Sequence, residues 1–211
     1  MSSNCYVVYD ENSRHCIIID PGSEKSLREI GFIEEKKLEL DYIIMTHEHT
    51  DHNWGVNALR ERYNTAKLIC SEFCNRFVKK TSYFYFLYYY DNADYRYEIE
   101  TADVIISNQK ETLEWGDYKL HFLLTPGHSH GSMCIGLENM LFSGDTIMPT
   151  KPYFNGRDSD ENEWYESVKR VLLIYKPCTI VFPGHENPLT LQEWGKLFYE
   201  GYDGYKKRYK F

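Results

Sequence analysis

Tyr42-Ile43-Ile44-Met45-Thr46-His47-Glu48-His49-Thr50-Asp51-His52 joins an apolar run to a dense set of potential metal ligands. Four ligand-type side chains, His47, His49, Asp51 and His52, fall within six residues at the mouth of a predicted strand over 42–46. A strand that ends in imidazoles and a carboxylate points to a metal site rather than to more core. Three further candidates lie downstream, each beside turn-forming residues: His128 in Thr125-Pro126-Gly127-His128, Asp145 in Ser143-Gly144-Asp145-Thr146, and His185 in Pro183-Gly184-His185. Five imidazoles and two carboxylates make seven ligands, enough for two metal ions sharing one bridge.

Outward from that stretch, the first third reads as strand, strand, helix, strand, helix. The strands are Cys5–Tyr9 and His15–Ile19, followed by a helix from about Ser23 past Ile30; strand 42–46 and a helix from Asp51 through Tyr63 complete the unit. Ala66–Cys70 and a helix opened by Ser71 follow. The second half restarts with strands at Tyr118–Leu124, Ser132–Leu137 and Met140–Phe142, then a helix of roughly Glu161 to Tyr175, strand Thr179–Phe182 and a closing helix from about Thr190. Strands followed by a helix, twice over, predict an α/β chain in which two sheets pack face to face with helices outside. All the candidate ligands then fall just after strands, where loops from both halves can converge on one edge.

With 211 residues and 42% hydrophobic content, the chain is read as one domain, 1–211, with an aromatic-rich insert at about 81–98. The net charge of −8 and the lack of a basic stripe before Lys206-Lys207-Arg208 leave no electrostatic footprint for nucleic acid. The start, Met1 to Asp10, leaves no room for a signal peptide, and no apolar run approaches the ~20 residues of a membrane span. Cys5, Cys16, Cys70, Cys74, Cys134 and Cys178 are scattered without a CxxC pair, so buried free thiols in a reducing cytoplasm are expected. In the insert, Tyr83, Tyr85, Tyr88 and Tyr89 are read either as aromatic packing against the body or as a lid facing a small-molecule substrate, and a homodimer interface is a third use.

His47 and His49 are two apart with Glu48 pointing away, so both imidazoles can face one ion, and His128 would complete a three-imidazole site. Asp51 and His52 turn toward a second position, which His185 joins from the far end of the chain. Asp145 can bridge the two through its separate oxygens. Nitrogen and carboxylate ligands without thiolate suit zinc, and iron and manganese accept the same set. A single histidine is more often a surface or satisfied core residue, and His15 and His121, inside strand patterns, are expected to be structural. His130 is expected to face solvent.

The series His47-x-His49-x-Asp51-His52, His128, Asp145, His185 resembles the metallo-β-lactamase superfamily, and the resemblance runs from Asn4-Cys5-Tyr6 through Ile19-Asp20-Pro21-Gly22 to Pro183-Gly184-His185. It implies a four-layer αββα sandwich. It also implies one metal on His47, His49 and His128, a second on Asp51, His52 and His185, Asp145 as the bridge, and Asp20 as a buried support of the ligand loop. An aspartate at 145 is similar to glyoxalase II-like hydrolases and lactonases, and Asn155-Gly156-Arg157-Asp158 looks like the Gly-Arg-x-Asp element of glyoxalase II-like and persulfide dioxygenase-like members, which makes Arg157 a substrate-facing candidate. Trp54 and Glu186 depart from the small residue and the glycine that are common at those points.

The reading that follows is a dinuclear metallohydrolase in which a metal-bridging hydroxide attacks an ester, thioester or lactone carbonyl, with Asp51 as the catalytic carboxylate. Two other classes stay open: a mononuclear iron, persulfide dioxygenase-like oxidoreductase, and a non-catalytic metal-binding interaction protein.

Overall fold

The computed structural model describes residues 3–78, 97–154 and 158–198. Its first hairpin pairs Tyr6–Tyr9 (β1) antiparallel with His15–Ile19 (β2). From Cys16 onward β2 is buried on both faces. Cys16 and Ile18 pack with Ile33 and Leu59, whereas Ile17 and Ile19 pack with Phe122 and Phe142. A strand covered on both sides has no polar face to show, which is why Cys16-Ile17-Ile18-Ile19 is an unbroken apolar run.

Leu27–Lys36 (α1) begins later than the expected Ser23, because Ser26 takes a left-handed φ of 44° and cannot continue a right-handed turn. Lys37, also left-handed, closes the helix by donating its N–H to carbonyls of the last turn. Glu39–Ile44 (β3) runs parallel to β2 and begins upstream of the expected 42–46. The single helix expected over 51–63 is instead two, Thr50–Asn53 (α2) and Val56–Arg62 (α3). Gly55 separates them: its N–H donates to the Pro21 carbonyl at 2.7 Å, and a Cβ there would lie 2.1 Å from Ser26 Oγ.

Lys67–Ser71 (β4) and Val104–Ile106 (β5) complete a five-stranded sheet of order β1-β2-β3-β4-β5, parallel from β2 onward. Between them Glu72–Phe77 (α4) is capped by Ser71, whose Oγ accepts from Cys74 N. The second sheet is built from Lys110–Trp115 (β6), Tyr118–Leu124 (β7), Met133–Leu137 (β8), Met140–Gly144 (β9), Ile180–Pro183 (β10) and Leu189–Thr190 (β11), in the order β11-β10-β9-β8-β7-β6. Its one parallel pair is β9 with β10, the connection being made by Glu161–Ile174 (α5). The last helix among the described residues, α6, covers 191–198.

Three apolar layers hold these elements. Ile33, Val56 and Leu59 seal the helices on the outer face of the first sheet. Ile17, Ile19, Ile44, Leu120, Phe122 and Phe142 fill the space between sheets. Trp164, Val168 and Val171 of α5 and Trp194 of α6 cover the second sheet through Leu123, Leu141 and Val181. The result is the αββα sandwich. Among the described residues no cysteine forms a disulfide; Cys16, Cys70, Cys74 and Cys134 are buried as expected, but Cys178, in the turn after α5, is exposed. No helix among the described residues is long and apolar enough to cross a membrane.

Candidate metal centre

The seven predicted ligand residues meet at one edge of the sandwich. His47, His49, Asp51 and His52 follow β3, His128 lies between β7 and β8, Asp145 follows β9 and His185 follows β10. Backbone bonds draw the two sheets together there: Met133 N donates to Thr46 O at 2.9 Å and Asn4 N to Gly184 O at 2.6 Å, while Gly184 N donates to Gly144 O at 2.8 Å within the second sheet.

Two groups of three result. Donor atoms of His47, His49 and His128 lie within 4.8 Å of one another, as do those of Asp51, His52 and His185. His49 Nδ1 is 3.0 Å from His128 Nε2, and His185 Nε2 is 3.4 Å from Asp51 Oδ2. Asp145 stands between the groups, with Oδ2 3.4 Å from His128 Nε2 and 3.5 Å from His185 Nε2, and Oδ1 3.5 Å from His52 Nε2. Gly184 is what lets this carboxylate sit so close to the backbone, since a Cβ at 184 would lie 2.1 Å from Asp145 Oδ1.

Asp20, 2% exposed, orders the rings from behind. Its Oδ1 accepts Thr46 N–H at 2.7 Å, and its Oδ2 accepts the Thr46 hydroxyl at 2.6 Å and His52 Nδ1 at 2.9 Å. With its own hydrogen given to Asp20, Thr46 Oγ1 must accept from His47 Nδ1, 2.9 Å away. Both Nδ1 atoms therefore carry protons, and both Nε2 atoms are left to face the site. His47 Nε2 and Asp145 Oδ1 are buried with no hydrogen-bond partner among the described residues. Buried polar atoms are rarely left so, and imidazole nitrogens together with carboxylate oxygens are a donor set that a divalent cation satisfies; the residues fit zinc, and also iron or manganese.

The charges agree. Burial, then the neighbouring imidazoles, push His47 well below the ordinary histidine range; burial pushes His49 well below it too and lowers His128. Burial would also lower His52, but Asp145 and Asp20 outweigh it and raise that ring to about 10. For Asp145 burial acts upward and is overcome by His52, His185 and His128, which hold the carboxyl below its usual range. A cation bound at His52 would take the place of the proton on Nε2.

Thr46 is the functional side chain that the ligand pattern did not single out; a hydroxyl just before the first histidine was the available signal. Glu186 has φ 69°, the left-handed region that glycine occupies freely, and its carboxylate accepts from Thr150 N and Oγ1, both at 3.1 Å. Trp54 closes α2 and lines a cleft that reaches Asp51. His15 bonds Asp41, His121 lies 3.1 Å from Thr112 Oγ1, and His130 is exposed beside Phe73. Tyr83, Tyr85, Tyr88, Tyr89 and Arg157 lie outside the described residues.

The family model described as the metallo-beta-lactamase superfamily matches residues 1–185. Among curated proteins the chain is 29% identical over 182 residues to the "Probable polyketide biosynthesis zinc-dependent hydrolase PksB" of Bacillus subtilis, covering 86% of this chain and 72% of that one. It is 27% identical over 188 residues to a hydroxyacylglutathione hydrolase of Psychromonas ingrahamii, covering 86% of this chain but 60% of that longer protein. Among solved structures, BLEG-1 B3 metallo-beta-lactamase superimposes with a TM-score of 0.80 at 25% identity, covering 93% of this chain and 91% of that one.

Proposed function

The chain belongs to the metallo-β-lactamase superfamily, and within it we propose that it is a metal-dependent hydrolase of a small-molecule ester, thioester or lactone, similar to the glyoxalase II-like hydrolases and lactonases. The observation that carries this reading is Asp145, whose two oxygens lie within 3.5 Å of imidazoles from both groups of three. His47, His49 and His128 would hold one divalent ion, Asp51, His52 and His185 a second, and Asp145 would be shared. Zinc is the first choice, in keeping with the zinc-dependent hydrolase named among the relatives.

Two such ions, when bound, supply a hydroxide nucleophile near neutral pH and polarise the carbonyl that it attacks. The chain's own contribution is to hold the donors in register and to move the proton. Asp20 fixes the orientation of one ring in each group, directly at His52 and through Thr46 at His47. Asp51 has a side chain 23% exposed, against 7% for Asp145, so it is the carboxylate that reaches the open side. There it orients the attacking oxygen and carries the proton to the leaving group. The adjoining cleft, lined by Tyr6, Lys25, Arg28, Trp54 and Glu186, offers the substrate a place beside it.

Metal analysis of the purified protein beside turnover on an acyl-thioester and lactone panel tests this reading. About two zinc per chain with hydrolysis supports it. One iron, no hydrolysis and oxygen consumption with a persulfide would replace it by the oxidative chemistry, and bound metal without any turnover would leave a binding protein.

A further inference from the structure

Glu48 sits between His47 and His49, yet its side chain leaves them and is buried, 5% exposed. It crosses to the loop that carries His128. Ser129 Oγ donates to Glu48 Oε2 at 3.0 Å. The neighbouring bonds are compatible with that direction. Ser129 N–H donates to Ser132 Oγ at 3.2 Å, and the two serine oxygens are 2.8 Å apart. With its own hydrogen given to the carboxylate, Ser129 Oγ is left to accept from Ser132, whose Oγ also accepts from the backbone.

The contact is enclosed on every side. A Cβ at Gly131 would lie 2.2 Å from Glu48 Oε2, so glycine is what admits the carboxylate to the turn. Ser71 Oγ donates to Gly131 O at 2.6 Å, and Asn53 Nδ2 donates to Glu48 O at 2.8 Å. An apolar side chain would fill a buried position at lower cost than a carboxylate, which must find donors to offset its desolvation. The position keeps a carboxylate where two ligand loops, separated by 79 residues between His49 and His128, have to meet.

We propose that Glu48 is a positioning residue of the His47–His49–His128 group: bonded to Ser129, it sets the separation of the two loops so that three rings converge on one divalent ion. This rests on the metal-dependent reading above, and the residue touches neither the ion nor the substrate.

Competition with a chelator for the first equivalent of zinc, on the full chain, tests it. Glu48→Ala and Ser129→Ala should each weaken that equivalent by about 10- to 100-fold, the usual effect of removing a group that orients a ligand. The double variant should lose no more than either single, because both remove one bond. Glu48→Gln, whose amide oxygen still accepts from Ser129, should restore affinity to within a few-fold. The visible absorption of cobalt(II) at the site should change in both alanine variants and not in Glu48→Gln. Unchanged zinc affinity in Ser129→Ala, or losses that add, would overturn the proposal, as would a lowered melting temperature of the zinc-free protein with affinity intact. Should Glu48→Ala fail to fold, Ser129→Ala decides alone. A wild-type protein that binds zinc and shows these differences but turns over nothing would count against the hydrolase reading and not against this one.

Discussion

Asp20 Oδ2 and His52 Nδ1 lie 2.9 Å apart, and the same oxygen accepts the hydroxyl of Thr46, which in turn accepts from His47. One buried carboxylate therefore governs a ring in each ligand group. Asp20 holds this place with a φ of 55°, a conformation that asparagine tolerates as well as aspartate does. Asp20→Asn should keep the backbone while setting an NH2 against the Thr46 hydroxyl and the His52 N–H, two donors with nothing left to accept them. Zinc affinity should fall by about 10- to 100-fold, with the loss spread over both equivalents, as read by chelator competition. Equal affinity in the variant and the wild type would show that the rings are held by packing alone.

Asp51 makes a separable claim. Its Oδ2 is 3.4 Å from His185 Nε2 and 3.8 Å from His52 Nε2, but it is no part of the three-imidazole group. Asp51→Ala should leave the His47–His49–His128 group able to bind while removing a ligand of the other and the proton carrier. Turnover should drop by about 10²- to 10⁴-fold, the range of a general acid–base contribution, and metal content should fall toward one ion per chain. Full activity in this variant would refute the assigned role.

Much of this site was legible because metal ligands are written locally. His47-x-His49-x-Asp51-His52 needs no knowledge of tertiary structure to be recognised, and the Pro-Gly and Ser-Gly turns ahead of His128, Asp145 and His185 mark strand ends. The sandwich was legible from the order of the elements, strands followed by a helix twice over. What escaped has two physical causes: a polar edge strand, and contacts with partners distant in the chain. Lys110–Glu114 alternates exposed with half-buried residues along an edge strand that ends in the buried Trp115, so its composition hides it. The break at Gly55 is imposed by the Pro21 carbonyl, 34 positions earlier, and not by local propensity. Glu48 reads as a solvated charge until Ser129 is brought beside it.

Gly127 carries a further prediction, since it precedes His128 with a φ of 141° and a Cβ there would lie 2.2 Å from the backbone N and Cα of Trp164. Trp164 is 2% exposed and its indole donates to Thr146 O at 2.7 Å, so it cannot retreat. Gly127→Ala should destabilise the fold by about 1–3 kcal/mol, the usual cost of overpacking, and weaken zinc at the three-imidazole group by moving His128. Gly31 is the contrast, because it lies inside α1 with nothing within 4 Å of an added Cβ. Gly31→Ala should stabilise by roughly 0.5–1 kcal/mol through helix propensity. Urea unfolding of both variants checks the opposite signs.

At the other end of β2, remote from the ligand loops, His15 provides a pH-dependent term of its own. Its Nδ1 lies 2.8 Å from Asp41 Oδ1, and Trp115 Nε1 donates to Asp41 Oδ2 at 2.7 Å, tying the first sheet to the second. The bond to Asp41, and then its charge, raise His15 above the ordinary 6.5. A histidine with a raised folded-state pKa stabilises the fold fully below its unfolded value and loses that contribution as pH rises through the folded one. The imidazole is substantially exposed, so solvent screens the pair and the amplitude is small. In Asp41→Asn the excess stability that wild type shows on the acid side should vanish. The difference between the two melting curves, followed from about pH 6 to pH 9, should shrink as pH rises; a difference that stays level across that range would show that Asp41 acts through Trp115 and not through His15.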